Sequence, residues 1–571
     1  MDLIQKAIKK KPMVLLVYTQ RMVRGRTFEM IENLGIITLA AQLNANGFEA
    51  KAYTGITTDA VNTIERLKDQ LFAVCFYCDF DNQTAVTAII KGLKKEKRIR
   101  EDTYLVVGGP HTLHMTDKDL DRYGADAIIK GDGEESLFAW LQGKTQNTNI
   151  NVPGEICPGK NAEYIQLKDF SKYQLPQDDA VLNYVERPLL SVITARGCPY
   201  RCAFCFEGGR SKNLRMRSAE AVLEEIQVRL EKSRRPRYLF FCDDTFTTSL
   251  KRLQALLQGL KKLRESHDFV WFCEGHPGFL SKHPELIPDM MDSGMVRMQI
   301  GLESGVDRVL DAYGKQACTE DIREVVAACY QAGLPQLTGN FIIGGAFETP
   351  KTLETTTRYA LDLLQLAPGM MDLSTTFLMP LPGTEISRAP QNFNIELEDQ
   401  EYLTSLEDFP VNRTCSLSLP EICRGRAVFL TRISNRMKEQ FSKGEIPSWR
   451  IRRDFQLAFR YGIAAGYLKY IYCKDPAMVA YHRQLNQFQG LLKEWWDMDA
   501  SEKENWIIQS AVEDDMVDYK TLGAGEVEIL LRSGTSSAKE MASMMNRSAE
   551  EVKACLEEMS RKHLVLFSPS L

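Results

Sequence analysis

The sequence predicts an α/β protein in three parts: a doubly wound parallel sheet, then a partial barrel of six β/α units, then a helical carboxy-terminal region. Three observations carry that prediction. Strand-like and helix-like hydrophobic runs alternate through the first 140 residues, the alternation resumes after residue 189, and helical periodicity takes over around Gly383. With 571 residues, 44% of them hydrophobic, the chain has material for several packed cores.

In the first part, residues 1–150, the runs at 13–18, 49–53, 72–78, 103–107 and 127–129 read as strands, and those at 36–46 and 84–93 read as helices. Ligands of such sheets sit at the carboxyl ends of the strands. Candidates at that edge are Cys75 and Tyr77, the turn Gly108-Gly109-Pro110-His111, and the turn Gly131-Asp132-Gly133-Glu134-Glu135-Ser136. Their glycines let a backbone approach a bulky ligand. Taken singly, each turn reads first as ordinary strand-to-helix chemistry and only second as a ligand site.

Residues 151–188, with Pro153, Pro158, Pro176 and Pro188, read as a linker. The second part, 189–390, begins with the apolar run 189–195 and continues with strands at 238–242, 269–273, 296–302, 336–343 and 373–379, separated by helices such as 219–231 and 250–263. Six units make an incomplete barrel. Several strands end in Cys242-Asp243-Asp244-Thr245, Glu274-Gly275-His276, Gly301-Leu302-Glu303-Ser304-Gly305 or Gly344-Gly345, and these ends should share one face. A single acidic residue there is as readily a helix cap as a ligand contact.

Residues 391–515 read as a helical region, within which 449–472 is a packed helix with a solvated basic face. Trp449, Trp495 and Trp496 read as core aromatics. The module at 516–571 has helical runs at 526–532, 537–545 and 549–562 and a strand-like run at 564–567, an order that resembles a winged-helix domain.

The chemistry is expected on the loop after the first barrel strand, Arg196-Gly197-Cys198-Pro199-Tyr200-Arg201-Cys202-Ala203-Phe204-Cys205. Three cysteines in a C-x3-C-x2-C spacing can ligate three irons of a [4Fe–4S] cluster and leave the fourth open. Structural zinc wants four ligands in spaced pairs, and no fourth Cys or His stands within about twenty residues. Fourteen cysteines scattered through 571 residues do not make a disulfide framework. The formal charge of -5, from 71 basic and 76 acidic residues, provides no global field to gather nucleic acid. No apolar signal region and no run long enough to span a bilayer is present, so the expectation is a cytoplasmic protein in a reducing compartment, with no membrane partner.

The cysteine loop, with Phe204 before its third thiol, resembles the signature of the radical S-adenosylmethionine (SAM) superfamily. The resemblance continues through residues 241–246, 299–305 and Pro380-Leu381-Pro382-Gly383-Thr384. It implies a [4Fe–4S] cluster on Cys198, Cys202 and Cys205, SAM chelated by the open iron, and Asp243, Asp244, Glu303 and Ser304 as SAM contacts. Upstream, the turns at 108–111 and 123–135 resemble the Rossmann-like cobalamin-binding domain of class B members. That implies cobalamin held by Cys75, Tyr77, Gly108, Gly109, His111, Gly131, Gly133 and Glu134. One departure stands out: the loop after the first strand, Tyr18-Thr19-Gln20-Arg21-Met22-Val23-Arg24-Gly25, has no histidine. Arg21, Arg24 or water would then lie below the cobalt.

Most members of that class methylate unactivated carbon or phosphinate centres, so the resemblance implies a C-methyltransferase acting on a small molecule or peptide, served by a flavodoxin- or ferredoxin-type electron donor. Relatives that cyclise, contract rings or rearrange without methyl transfer supply a second reading. A redox sensor with a DNA-binding winged helix is a third. It needs a basic recognition helix, whereas residues 549–562 carry Glu550, Glu551, Glu557 and Glu558 beside Lys553, Arg561 and Lys562.

Overall fold

The computed structural model describes residues 11–19, 22–23, 26–27, 33–80, 82–145, 155–157, 175–182, 189–207, 214–233, 237–398, 410–447, 449–450, 453–454, 457, 461, 539, 542–543 and 546–561. Two six-stranded parallel sheets dominate it. The first contains β1 (Met13–Thr19), β2 (Glu49–Gly55), β3 (Leu71–Tyr77), β4 (Tyr104–Gly108), β5 (Ala127–Ile129) and β6 (Glu155–Cys157), in the order β2-β1-β3-β4-β5-β6. The order reverses between β1 and β3, the switch point at which doubly wound sheets open a crevice.

The strands form where the sequence is apolar on both faces. Met13 to Val17 are all buried, the pattern of a strand covered by helices on each side. Those helices are α1 (Leu34–Ala45), α2 (Thr57–Leu67), α3 (Gln83–Lys95), α4 (Asp117–Tyr123) and α5 (Gly133–Thr145). The start of α1 is capped by Asn33, whose side chain accepts from the Ile36 amide at 3.2 Å. Gly124, at φ +69°, ends α4 in the left-handed conformation that glycine adopts without strain.

The stretch read as a linker does more than connect. Strand β6 lies inside it and pairs with β5, and Val181 bridges to Ala52 of β2. Residues on either side of the connection therefore border both edges of the first sheet.

The second sheet contains β7 (Leu189–Val192), β8 (Arg237–Phe241), β9 (Phe269–Gly275), β10 (Met295–Glu303), β11 (Gln336–Ile343) and β12 (Met371–Phe377), in strict sequence order. All five neighbouring pairs are parallel, and β7 and β12 are not paired with each other. This is an open, partial (β/α)6 barrel. Helices α6 (Ala219–Glu231), α7 (Leu250–Arg264), α8 (Thr319–Gln331) and α9 (Pro350–Leu366) flank it. Its core centres on Trp271, fully buried, whose indole donates to the Ser293 carbonyl at 3.0 Å.

Beyond the barrel, α10 (Leu419–Ser442) packs on α9. Just before β11, the Leu334 carbonyl accepts from Arg450 at 2.6 Å; Arg450 is buried to 1% exposure and lies over the Tyr330 ring at 4.7 Å. Trp449, expected in the core, is instead 55% exposed and lies against Arg450 and Arg453. Of the expected terminal module, α11 (Ala549–Arg561) is described. The runs at 526–532 and 564–567, with Trp495 and Trp496, lie outside the described residues, as does most of 537–545. No helix of the described residues is long and apolar enough to cross a membrane.

Candidate functional site

The cysteine loop leaves the carboxyl end of β7, and its approach is gripped from both sides. The carbonyls of Ser191, Ile193 and Thr194 accept from Arg229 at 2.5 Å, Arg217 at 2.8 Å and Arg252 at 2.8 Å. The amides of Thr194 and Ala195 donate to Asp243 Oδ1 at 2.6 and 3.1 Å, and the Thr194 hydroxyl donates to Oδ2. The amide of Gly197 donates to Asp244 Oδ2 at 3.1 Å. Asp243 was expected at SAM, but its carboxylate is fully engaged in shaping the loop. Burial raises its pKa to about 6 against the opposing effect of those hydrogen bonds.

Between the thiols, the Ala203 amide donates to the Tyr313 carbonyl at 2.8 Å, and the Ile386 amide donates to the Ala203 carbonyl at 3.1 Å. Phe204 meets Tyr313 edge-on at 5.0 Å, and Tyr200 stacks on the buried His276 at 3.5 Å. The imidazole is held neutral, its pKa lowered to about 3 by burial, and Nε2 donates to the Lys315 carbonyl at 2.9 Å. These contacts fix the loop on both flanks before any cofactor arrives.

Cys198 Sγ stands 3.5 Å from the Thr245 hydroxyl, and the Cys205 amide donates to the Cys202 carbonyl at 2.9 Å. Burial raises the Cys202 thiol to about 12 and raises Cys198 as well. Cys202 also senses the charges of Cys198 and Cys205, while Lys315 acts in the opposite sense. Three soft donors facing a buried ammonium suit an anionic iron–sulfur group. Among the described residues, no set of three His, Cys, Asp or Glu side chains is gathered around a single ion position. A four-iron cluster asks for a different arrangement, one thiolate on each of three separate irons.

The motif at 301–305 has a packing origin. Lys315 Nζ and Glu303 Oε1 form a buried ion pair at 2.7 Å. A Cβ on Gly301 would stand 2.0 Å from Glu303 Oε1 and 2.5 Å from Lys315 Nζ. Glu303 itself sits at φ +57°, a left-handed conformation that is unusual for a non-glycine residue and marks strain beside the site. The Ser304 hydroxyl accepts from the Val306 amide at 3.2 Å and lies 3.3 Å from Thr356 Oγ1. All four expected SAM contacts thus already have protein partners, and Asp244, which accepts from the Gly197 amide, also lines the cavity described next.

A cavity of about 520 Å³ lies between the carboxyl edges of the two sheets. Cys75, Tyr77, Gly108, Gly109, Gly131, Asp132, Gly133 and Glu134 line it from the first sheet, and Arg196, Phe206, Glu207, Cys242, Asp244 and Leu381 line it from the second. It reaches the switch point through Leu16 of β1 and Phe76 of β3. Leu16, Leu34, Ile36, Leu39 and Phe76 make this end of the cavity apolar. His111 stands beside the cavity, its ring against Phe80 at 4.8 Å, and Phe80 in turn meets Phe206 at 5.2 Å. Arg21 and Arg24 lie outside the described residues.

One of the turn glycines is demanded by the chain itself: at Gly109, with φ +100°, a Cβ would stand 2.7 Å from the Cys78 carbonyl oxygen, whereas at Gly133 a Cβ would meet only the movable tip of Leu39, 2.9 Å from Cδ1. Asp132 and Glu134 turn toward the barrel. Glu134 pairs with Arg196 at 2.5 Å, and Asp132 pairs with Arg196 at 3.3 Å and Arg215 at 2.5 Å. Sequence reasoning passed over Arg196, Lys315, Tyr313 and the Tyr200–His276 stack. The one local signal was Gly301, whose missing side chain leaves room for the ion pair.

Residues 192–360 match the family described as the radical SAM superfamily. An "Uncharacterized methyltransferase PH0819" of Pyrococcus horikoshii is 28% identical over 307 residues, which cover 51% of this chain and 64% of that protein. An "Anaerobic magnesium-protoporphyrin IX monomethyl ester cyclase" of Rubrivivax gelatinosus is 22% identical over 346 residues, covering 57% and 61%. The chain therefore spans less than two thirds of the length of these relatives. The fold is similar to that of the cobalamin-dependent SAM radical enzyme OxsB, solved with aqua-cobalamin and SAM bound, with a TM-score of 0.60 over 98% of this chain and 82% of that one at 16% identity.

Proposed function

We propose that this radical SAM chain is a cobalamin-dependent enzyme that transfers a methyl group to a carbon of a small molecule or peptide. The observation that carries this reading is a cavity shared by the carboxyl edges of both sheets, lined by Arg196 and Phe206, which flank the three cysteines of the loop. One sheet edge serves the cluster and SAM. The other, at its switch point, has the apolar slot that a corrinoid needs.

In this reading Cys198, Cys202 and Cys205 hold the cluster, and Lys315 offsets its negative charge. Asp243, Arg217, Arg229 and Arg252 keep the loop in shape. Asp244 holds Gly197 and faces the cavity, and Phe80, His111 and Phe206 form an aromatic wall that excludes water from its mouth. When bound, the cluster and SAM supply a radical and the cobalamin supplies the methyl group.

Anaerobic purification and reconstitution test the reading. About four irons per chain and bound corrinoid are expected, and incubation with SAM and reductant should release both 5′-deoxyadenosine and S-adenosylhomocysteine. Absence of corrinoid after reconstitution would remove the cobalamin half. The relative named as a cyclase supports a second reading, a cyclisation without methyl transfer. Methyl-labelled SAM separates the two: product carrying the label belongs to the first, and turnover to unlabelled product belongs to the second.

A further inference from the structure

We propose that Arg196 is a positioning residue that sets the separation between the two cofactor sites. The inference rests on the cobalamin reading above. Arg196 lies two residues before Cys198, yet its guanidinium is held by the first sheet, by Glu134 at 2.5 Å and Asp132 at 3.3 Å. Arg215, paired with Arg196 across a two-residue ladder, completes the set with a 2.5 Å contact to Asp132. The side chains are 13%, 3%, 7% and 10% exposed for Arg196, Glu134, Asp132 and Arg215, so the cluster of charges is nearly dry.

Among the described residues, two guanidinium groups face two carboxylates. A buried ion pair contributes little net stability over an apolar packing of the same volume, but its geometry is strict. Arginine adds a planar fork that fixes orientation as well as distance. Glu134 is fixed in turn, because it lies in the first turn of α5, where the helix dipole favours a carboxylate. The backbone on the other side of Arg196 is equally constrained, Ala195 by Asp243 and Gly197 by Asp244. A rigid path therefore runs from the Gly131–Glu134 turn through one side chain into the first cluster cysteine. Arg196, Asp132 and Glu134 also line the cavity in which the methyl group must cross.

With a low-potential chemical reductant supplied, reductive cleavage of SAM passes one electron through the cluster, breaks the sulfur–C5′ bond and releases methionine. Without substrate the 5′-deoxyadenosyl radical takes a hydrogen atom from the buffer to give 5′-deoxyadenosine, so this step does not use the cobalamin site. Methyl donation from SAM to reduced cobalamin breaks the methyl–sulfur bond, forms a methyl–cobalt bond and releases S-adenosylhomocysteine, so it needs the two sites in register. The test uses the reconstituted full chain with corrinoid and no substrate, comparing Arg196→Met, Arg196→Lys and Glu134→Gln with the parent. Expected for Arg196→Met and Glu134→Gln, compared at equal iron and equal corrinoid per chain, is a ratio of S-adenosylhomocysteine to 5′-deoxyadenosine lowered tenfold or more from the parent, with Arg196→Lys between. If the two products fall together in Glu134→Gln, which lies far from the cysteines in sequence, or if neither changes in Arg196→Met, the proposal is overturned. If Arg196→Met loses its iron, Glu134→Gln decides alone. Should the parent bind no corrinoid, the cobalamin reading fails by itself. Amide exchange of the cofactor-free chain then judges the tie: faster exchange in Arg196→Met at both 131–134 and 195–198 supports it, and a change at one segment only, or at neither, overturns it.

Discussion

The Lys315 ammonium stands 2.7 Å from the Glu303 carboxylate, both buried, and the pair exists because residue 301 has no side chain. Gly301→Ala would push a methyl group into both partners, 2.0 Å from one and 2.5 Å from the other. Removing one partner of a buried pair costs about 3 to 5 kcal/mol, which is the upper bound here because both charges remain and only their side-chain ends must shift. The expected outcome is a lower thermal midpoint and reduced iron retention, since Lys315 also faces Cys202 and Cys205. Thermal denaturation and iron analysis of the anaerobic protein check it. An unchanged midpoint would mean that the strand moves aside.

Asp243 separates a loop-shaping role from a cofactor-contacting one. Its oxygens engage two amides and a hydroxyl of the segment that enters the cysteine loop. Asp243→Ala leaves two buried amides without acceptors, at a cost of about 1 to 3 kcal/mol each. The expected result is less cluster per chain, with the apparent affinity for SAM unchanged in the fraction that holds a cluster. A SAM affinity weakened tenfold at full iron content would restore the contact read from the sequence.

The two sheets were legible because buried parallel strands are apolar without interruption. Residues 336–343, expected as a strand, coincide with β11, and 127–129 coincide with β5. Strand β6 was not legible: three residues at a sheet edge, in a proline-rich stretch, carry no periodicity. The thiol spacing was visible because it is local. The partners of Asp132 and Glu134 were not, because Arg196 and Arg215 lie 62 to 83 residues away and charge pairing at such range leaves no local pattern. Gly109 shows the converse: the glycine is visible in the sequence, but not that its near neighbour is the Cys78 backbone rather than a ligand.

Cysteine replacement tests the cluster assignment against the chain's other thiols. Cys198→Ala, Cys202→Ala and Cys205→Ala should each lower iron from about four per chain to a small residue and abolish 5′-deoxyadenosine formation. Cys415→Ser, at an exposed thiol, should leave both unchanged. Full SAM cleavage in any of the three alanine variants would refute the assignment.

Glu348 gives a pH signature outside the cofactor sites. Its carboxylate accepts from the Gly344 amide at 2.6 Å, yet burial dominates and raises its pKa from 4.5 to about 8. Between those values the folded chain keeps a proton that the unfolded chain has released. The stabilisation is therefore fully present below pH 4.5 and is lost as pH rises toward 8, by roughly 1 kcal/mol per unit within that window. Asp243, raised to about 6, and Glu274, raised to about 7, both by burial, act in the same direction. Glu348→Gln keeps an acceptor for the amide and removes the titration. Urea midpoints measured anaerobically at pH 5 and pH 8 should fall less in this variant than in the parent, the remaining slope belonging to the other two carboxyls. A variant as pH-sensitive as the parent would show that Glu348 is already ionised in the folded chain.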